Sequence, residues 1–137
     1  MIIGPGGSGK STFCKTLSES DDITNRRVHV INLDPSNESV IYKALVDVCD
    51  VISTRDVVEE LGLGPNGGLV YTFEYLVDNF DFFLELLQES LQPDDYVLFD
   101  CPGQLELYTH LSLFKTFIYK MENQGGFRLG SVYMMDV

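Results

Sequence analysis

Residues 2–12 read IIGPGGSGKST. From Gly4 to Ser11 they satisfy the spacing G-x-x-x-x-G-K-[ST] at every fixed position, after a short apolar stub and before a helical pattern from Thr12 to Glu19. The chemistry needs this layout. Glycines let backbone N–H groups curl around phosphate oxygens, and a helix starting at Lys10 aims the positive end of its dipole at the same charge. Lys10 reaches the outer phosphates and Ser11 offers a hydroxyl to Mg²⁺. Gly6, Gly7, Ser8, Gly9, Lys10, Ser11 and Thr12 are therefore the candidate nucleotide-binding residues.

Working outward, DDYVLFDCPGQ (94–104) is an apolar strand that ends on Asp100 and a Pro-Gly turn. Asp100 is the candidate carboxylate for Mg²⁺, with Ser11 as the second metal residue. Pro102-Gly103 turns the chain where a γ-phosphate would lie. Gln104 is placed to orient a water for in-line attack, with Glu106 assisting. A D-x-P-G-Q turn belongs to nucleoside triphosphatases rather than to kinases in general. INLDP (31–35) ends a second strand, read over 27–34, on Asp34, which reaches toward the metal or the attacking water as a second switch. Standing alone, Asp34 would be a turn residue.

STRDVVEELGL (53–63) reads as a short helix capped by Ser53 or Thr54. Apolar residues at Leu69, Phe73, Leu76, Phe80, Phe83, Leu87 and Leu91 form one helical stripe, with a break expected at Asp81. LYTHLSLFKTFIYKM reads as a helix and FRLGSVYMMDV as a strand. Strands alternating with helices imply a parallel α/β sheet. The whole of 1–137 is read as the N-terminal part of a single P-loop nucleoside triphosphatase domain, a parallel sheet flanked by helices and truncated at its C-terminal side.

Composition narrows the partners. The chain has 137 residues and a net charge of −12, which disfavours a phosphate-backbone binder and hence direct nucleic-acid contact. No apolar run is long enough to span a membrane. Cys14, Cys49 and Cys101 match no zinc spacing and no disulfide framework, so a reducing, intracellular setting is the simple reading. His29 and His110 lack ligand-spaced partners. Tyr108, Phe114, Phe117 and Tyr119 read as core or interface rather than as a base-stacking platform.

The stretch EELGLGPNGGLVYTF (59–73) spends more special residues than a turn requires. Together with GPGGSGKST, INLDP and LFDCPGQLELYTH, in this order, it resembles the GPN-loop GTPase family, and most of all its third eukaryotic paralogue. The resemblance implies a GTPase that binds GTP or GDP with Mg²⁺ and dimerises with itself or with another GPN-loop GTPase. It also implies that the loop Gly64-Pro65-Asn66 crosses the dimer interface, so that Asn66 serves the partner's phosphate site. By the same resemblance the protein assists assembly and nuclear import of RNA polymerase II, from a cytoplasmic location with shuttling to the nucleus. The family's guanine-recognition run, Asn- or Thr-Lys-x-Asp, does not occur within residues 1–137, so guanine preference is inherited from the resemblance alone. Two rivals stay open: a nucleotide-dependent scaffold without significant hydrolysis, and a P-loop kinase, whose basic lid would have only Arg55 and Arg128 to draw on.

Overall fold

A computed structural model describes residues 1–20, 25–37, 39–52, 54–104, 108 and 112–136, without the side chains of residues 54, 55, 57 and 65. Two apolar runs form its centre: β2 (Val28–Asn32) and β4 (Tyr96–Asp100) pair in parallel from Val28 opposite Tyr96 to Asn32 opposite Asp100. The stub β1 (Ile2–Ile3) adds to the far side of β4, with Ile2 opposite Asp100, and β5 (Val132–Tyr133) adds to β1. On the other side β3 (Ala44–Asp47) pairs with β2. The result is a five-stranded parallel sheet of order β3-β2-β4-β1-β5.

Both faces of such a sheet must be covered, and the alternation of side chains sorts its residues between two cores. Val30 and Leu98 point into a small cluster with Ile2, Cys14 and Tyr42, covered by α1 (Lys10–Ser18). Ile31 and Phe99 point into a larger one, covered by α4 (Pro65–Asp78), α5 (Phe80–Ser90) and α6 (Leu113–Asn123). Phe117 of α6 is its hub, with ring centroids 6.1 Å from Phe73, 5.9 Å from Phe80 and 5.8 Å from Phe83. Between β3 and α4 lie the short helices α2 (Val48–Val51) and α3 (Thr54–Leu61).

Several sequence expectations shift. The apolar stripe of 69–91 is carried by two helices, and the break falls at Asn79 rather than Asp81. Asn79 leaves helical geometry, and its N–H and side-chain amide both donate to the Tyr75 carbonyl at 2.9 Å. Asp81 instead sits in the first turn of α5, where a carboxylate complements the helix dipole. The Gly64-Pro65-Asn66 stretch, expected as a loop, is the N-cap and first turn of α4, with Pro65 at a position whose missing N–H costs nothing. β3 and α2 have no counterpart in the sequence reading. Ser53, His110 and most of the segment 105–111 lie outside the described residues.

The start of β2 is tied to the start of β4 by Asp95. Its carboxylate accepts the Gln92 N–H at 2.8 Å and both Arg27 guanidinium contacts at 2.9 Å, with His29 at 3.2 Å. Arg27 is thus a strand fastener, and His29 a structural residue beside it. The Gln92 N–H, then Arg27 and His29, hold the Asp95 carboxyl below its ordinary value of 3.8. A carboxylate lowered on folding stabilises the fold above that ordinary value, and the contribution is lost as pH falls through the folded value. Asp95→Asn should therefore be less stable than the wild type at neutral pH, and the gap should close as pH falls below about 4. Melting temperatures measured from pH 7 to pH 2 check this; a gap unchanged across that range would sink the assignment.

Candidate functional site

The phosphate loop runs from the end of β1 to the start of α1. Two of its glycines need their freedom: Gly7 has φ +76° and Gly9 has φ +89°, left-handed geometry that a side chain would strain. Gly9 is the N-cap of α1 and supplies no capping side chain, so the first-turn N–H groups of α1 remain open to an anion. Gly6, Gly7 and Gly9 are exposed, with open space where a Cβ would stand. Lys10 is buried and folds back over the loop, donating to the carbonyls of Gly4 and Pro5 at 2.9 Å each. Thr12 is exposed in the first turn of the same helix. Ser8 Oγ is buried and has no hydrogen-bond partner among the described residues.

The pairing of β1 with β4 brings Asp100 to this loop. Asp100 is 1% exposed, and its Oδ2 accepts the Ser11 hydroxyl at 2.7 Å. The two metal candidates predicted from spacing are thus in direct contact. A hydroxyl and a carboxylate are hard oxygen donors that suit Mg²⁺, which takes its remaining ligands from phosphates and water. Among the described residues no group of three or more His, Cys, Asp and Glu could hold a metal by itself.

The turn after β4 closes on the loop. A Cβ added at Gly103 would meet Gly6 N at 2.8 Å and Gly6 Cα at 2.9 Å, so only glycine fits this contact. Tyr108 donates its hydroxyl to the Pro102 carbonyl at 2.5 Å and sets its ring edge-on to Phe114, centroids 4.6 Å apart, which pins the turn to the core. The next residue, Gln104, has its Oε1 buried without a partner among the described residues. Cys101, between Asp100 and Pro102, is fully buried and its thiol is pushed far up by that burial. Cys14 is likewise raised to about 12, so neither is a nucleophile. Glu106 lies outside the described residues.

Asp34 lies in a turn beyond β2. Its Oδ1 accepts the Ser36 N–H at 3.0 Å and the Ser36 hydroxyl at 2.5 Å, and its carbonyl accepts the Asn37 N–H at 3.1 Å. The turn is set by a residue that sequence reasoning missed. Asn32 is fully buried at the end of β2 and opposite Asp100 in the sheet. Its amide donates to Asp47 Oδ1 at 2.9 Å, Asp34 O at 3.2 Å and Asn37 O at 3.3 Å, and its Oδ1 accepts the Asp34 N–H at 3.0 Å. A polar residue between Ile31 and Leu33 in an apolar run was the available signal.

Tyr42 was missed as well. Its hydroxyl donates to Asp100 Oδ2 at 2.7 Å, the same oxygen that accepts from Ser11. Burial, then the Asp100 charge and hydrogen bond, push that hydroxyl far above the ordinary phenol value, so it stays protonated. No sequence feature marked it. Asn66, by contrast, is exposed and makes no hydrogen bond to the phosphate loop among the described residues. Tyr119 is exposed, and Phe114 and Phe117 are core. No described helix is long and apolar enough to cross a membrane.

A family model described as "Conserved hypothetical ATP binding protein" matches residues 2–137. GPN-loop GTPase 3 of Eremothecium gossypii is 46% identical over 136 residues, a match that covers 99% of this chain and 49% of that protein. The proteins of the same name from Kluyveromyces lactis and Saccharomyces cerevisiae are 44% and 43% identical, with the same coverage. The chain spans about half the length of the curated relatives it matches. Among solved structures, that of a GTPase in apo form from Pyrococcus abyssi superposes with a TM-score of 0.71 at 28% identity, covering 96% of this chain and 50% of that one.

Proposed function

The chain belongs to the family described as conserved hypothetical ATP-binding proteins, within which its relatives are named GPN-loop GTPases, and on that footing we propose that the full-length protein is a GTP-hydrolysing, dimeric switch. The observation that carries hydrolysis is the contact of Gly103 with Gly6. It lays the D-C-P-G-Q turn on the phosphate loop and leaves Gln104 next in line, with a buried carbonyl oxygen free to accept from a water. In this reading the exposed loop N–H groups and the N-terminus of α1 hold the phosphates, and Lys10 leaves its two carbonyls for the outer phosphate oxygens. Ser11 and Asp100 would hold Mg²⁺, which neutralises charge on those oxygens. Gln104 orients the attacking water, and Asp34 and Glu106 act beside it.

The nucleotide is GTP, and the product GDP. The family description points to ATP and the names of the relatives to GTP. The relatives at 43–46% identity favour GTP. Calorimetry of the full-length protein with GTP and ATP, each with Mg²⁺, together with phosphate release, tests it. Tight GTP binding with slow release supports a switch. Phosphate transfer to an added acceptor would make the protein a kinase, and tight binding without turnover a scaffold. The wider role we propose, a cytoplasmic protein that shuttles to the nucleus and assists assembly and import of RNA polymerase II, rests on the resemblance alone.

The dimer has its own test at Asn66, exposed in the first turn of α4. If Asn66 acts on a partner's phosphates, Asn66→Ala should keep nucleotide affinity and lose hydrolysis by about ten- to a hundredfold, the worth of one hydrogen bond to a charged group. Mixing Asn66→Ala with Lys10→Ala subunits should then restore one working site in each mixed dimer. Mixed dimers demonstrated by mass spectrometry without recovered hydrolysis would refute action across the interface.

A further inference from the structure

We propose that Tyr42 is a positioning residue for the metal carboxylate: its hydroxyl, rather than its ring, fixes Asp100 in the geometry that Mg²⁺ requires. The inference rests on the reading of Ser11 and Asp100 as the metal pair and extends it to a residue outside every motif.

Asp100 stands at the end of β4 with its carboxylate 1% exposed, so it must find its donors within the protein. Among the described residues it finds two, both on Oδ2 and both at 2.7 Å. They differ in kind. Ser11 sits in the first turn of α1, and its hydroxyl is itself a prospective metal ligand. Tyr42 sits on the segment between the Asp34 turn and β3, and its hydroxyl has no other partner among the described residues. Its ring is buried with Ile2, Cys14, Val30 and Leu98, which leaves the hydroxyl little freedom to move. One oxygen of the carboxylate is thereby held by two hydroxyls from different parts of the chain, which restrains the direction of its remaining lone pairs. Removing a group that orients a metal ligand in this way typically costs about 10–100-fold in metal affinity. The same bond ties the chain between the Asp34 turn and β3 to the phosphate site.

A buried tyrosine also packs, and the test must separate hydroxyl from ring. Tyr42→Phe keeps the ring. In the full-length protein, GTP binding is titrated with Mg²⁺ for the wild type, Tyr42→Phe, Asp100→Asn and the double variant, alongside GTP affinity in EDTA and the melting temperature. Tyr42→Phe should raise the half-saturating Mg²⁺ concentration about tenfold. Affinity in EDTA should stay within about twofold and the melting temperature within a few degrees, as for loss of one hydrogen bond. Asp100→Asn should raise the Mg²⁺ requirement further, and the double variant should match Asp100→Asn, because Tyr42 acts only through that carboxylate. An unchanged Mg²⁺ requirement in Tyr42→Phe beside a shifted one in Asp100→Asn overturns the role of Tyr42 and leaves the metal pair standing. Additive effects in the double variant, or a large loss of melting temperature with no change in Mg²⁺ dependence, also overturn it. If neither single variant moves the requirement, the metal assignment falls and the proposal with it; if GTP does not bind even in EDTA, the nucleotide reading has failed first.

Discussion

Lys10→Ala is expected to abolish measurable GTP binding by the full-length protein while leaving it folded. Lys10 is buried at the mouth of the loop, and its ammonium already donates to two carbonyls of that loop. It is the only cation of the G-x-x-x-x-G-K-[ST] motif, and nothing else in the loop can supply a full positive charge to the outer phosphates. Each hydrogen bond between charged partners is worth about 1.5–3 kcal/mol, so two of them lost cost about 3–6 kcal/mol, or some hundred- to ten-thousandfold in affinity. The fold gives up only the two hydrogen bonds to the carbonyls of Gly4 and Pro5 and is expected to persist. Calorimetry with GTP and Mg²⁺ measures the first effect and thermal unfolding the second. Affinity within tenfold of the wild type would show that Gly4–Ser11 is a glycine-rich turn and not a phosphate site.

What the sequence revealed and what it hid follow from the range of the interactions. The phosphate loop was legible because its chemistry is written in contiguous residues at fixed spacing. β2 and β4 were legible because parallel strands covered on both faces read as mostly apolar runs, and both end on a polar residue, Asn32 and Asp100. β3 and α2 were not. Each is four residues long, too short for any periodicity, and β3 exists because β2 offers it a ladder. The helix break was placed two residues late because an acidic residue was taken as the signal, whereas Asn79 makes the break by turning both its donors back on Tyr75. Pro65 carried a readable signal, since proline favours the first turn of a helix. The glycines around it suggested a loop more strongly.

The site divides in the same way. Ser11 and Asp100 are far apart in sequence yet were paired in advance, because each belongs to a recognisable local pattern. Asn32 and Tyr42 reach the same place through sheet register and a long connection, which no local pattern encodes. Asn32 lies opposite both Asp100 and Asp47 along one row of the sheet. That row sets three polar side chains at the ends of three neighbouring strands, where a parallel sheet places its ligands. The Asp34 turn is thereby fastened to the strand next to Asp100.

Gln104→Ala should produce the opposite signature to an ordinary core truncation: hydrolysis lost, stability kept. Gln104 Oε1 is buried with no partner among the described residues. A buried acceptor without a donor is a cost to the fold, and removing it is close to neutral or stabilising. A melting temperature at or slightly above that of the wild type is therefore expected. On the proposed reading this oxygen is satisfied at another step, by the water that attacks the γ-phosphate. The interaction strengthens as the reaction proceeds and contributes little to binding GTP, so the loss should appear in turnover rather than in affinity. It should amount to about ten- to a thousandfold, or ~1.4–4 kcal/mol of barrier. Single-turnover phosphate release, calorimetric GTP affinity and thermal unfolding read the three quantities separately. Equal losses of affinity and rate would mean that Gln104 shapes the pocket, and a fall in melting temperature of more than a few degrees would mean that its side chain supports the turn. Either result would leave Gly103 resting on Gly6 with no catalytic residue behind it and would favour the rival scaffold reading.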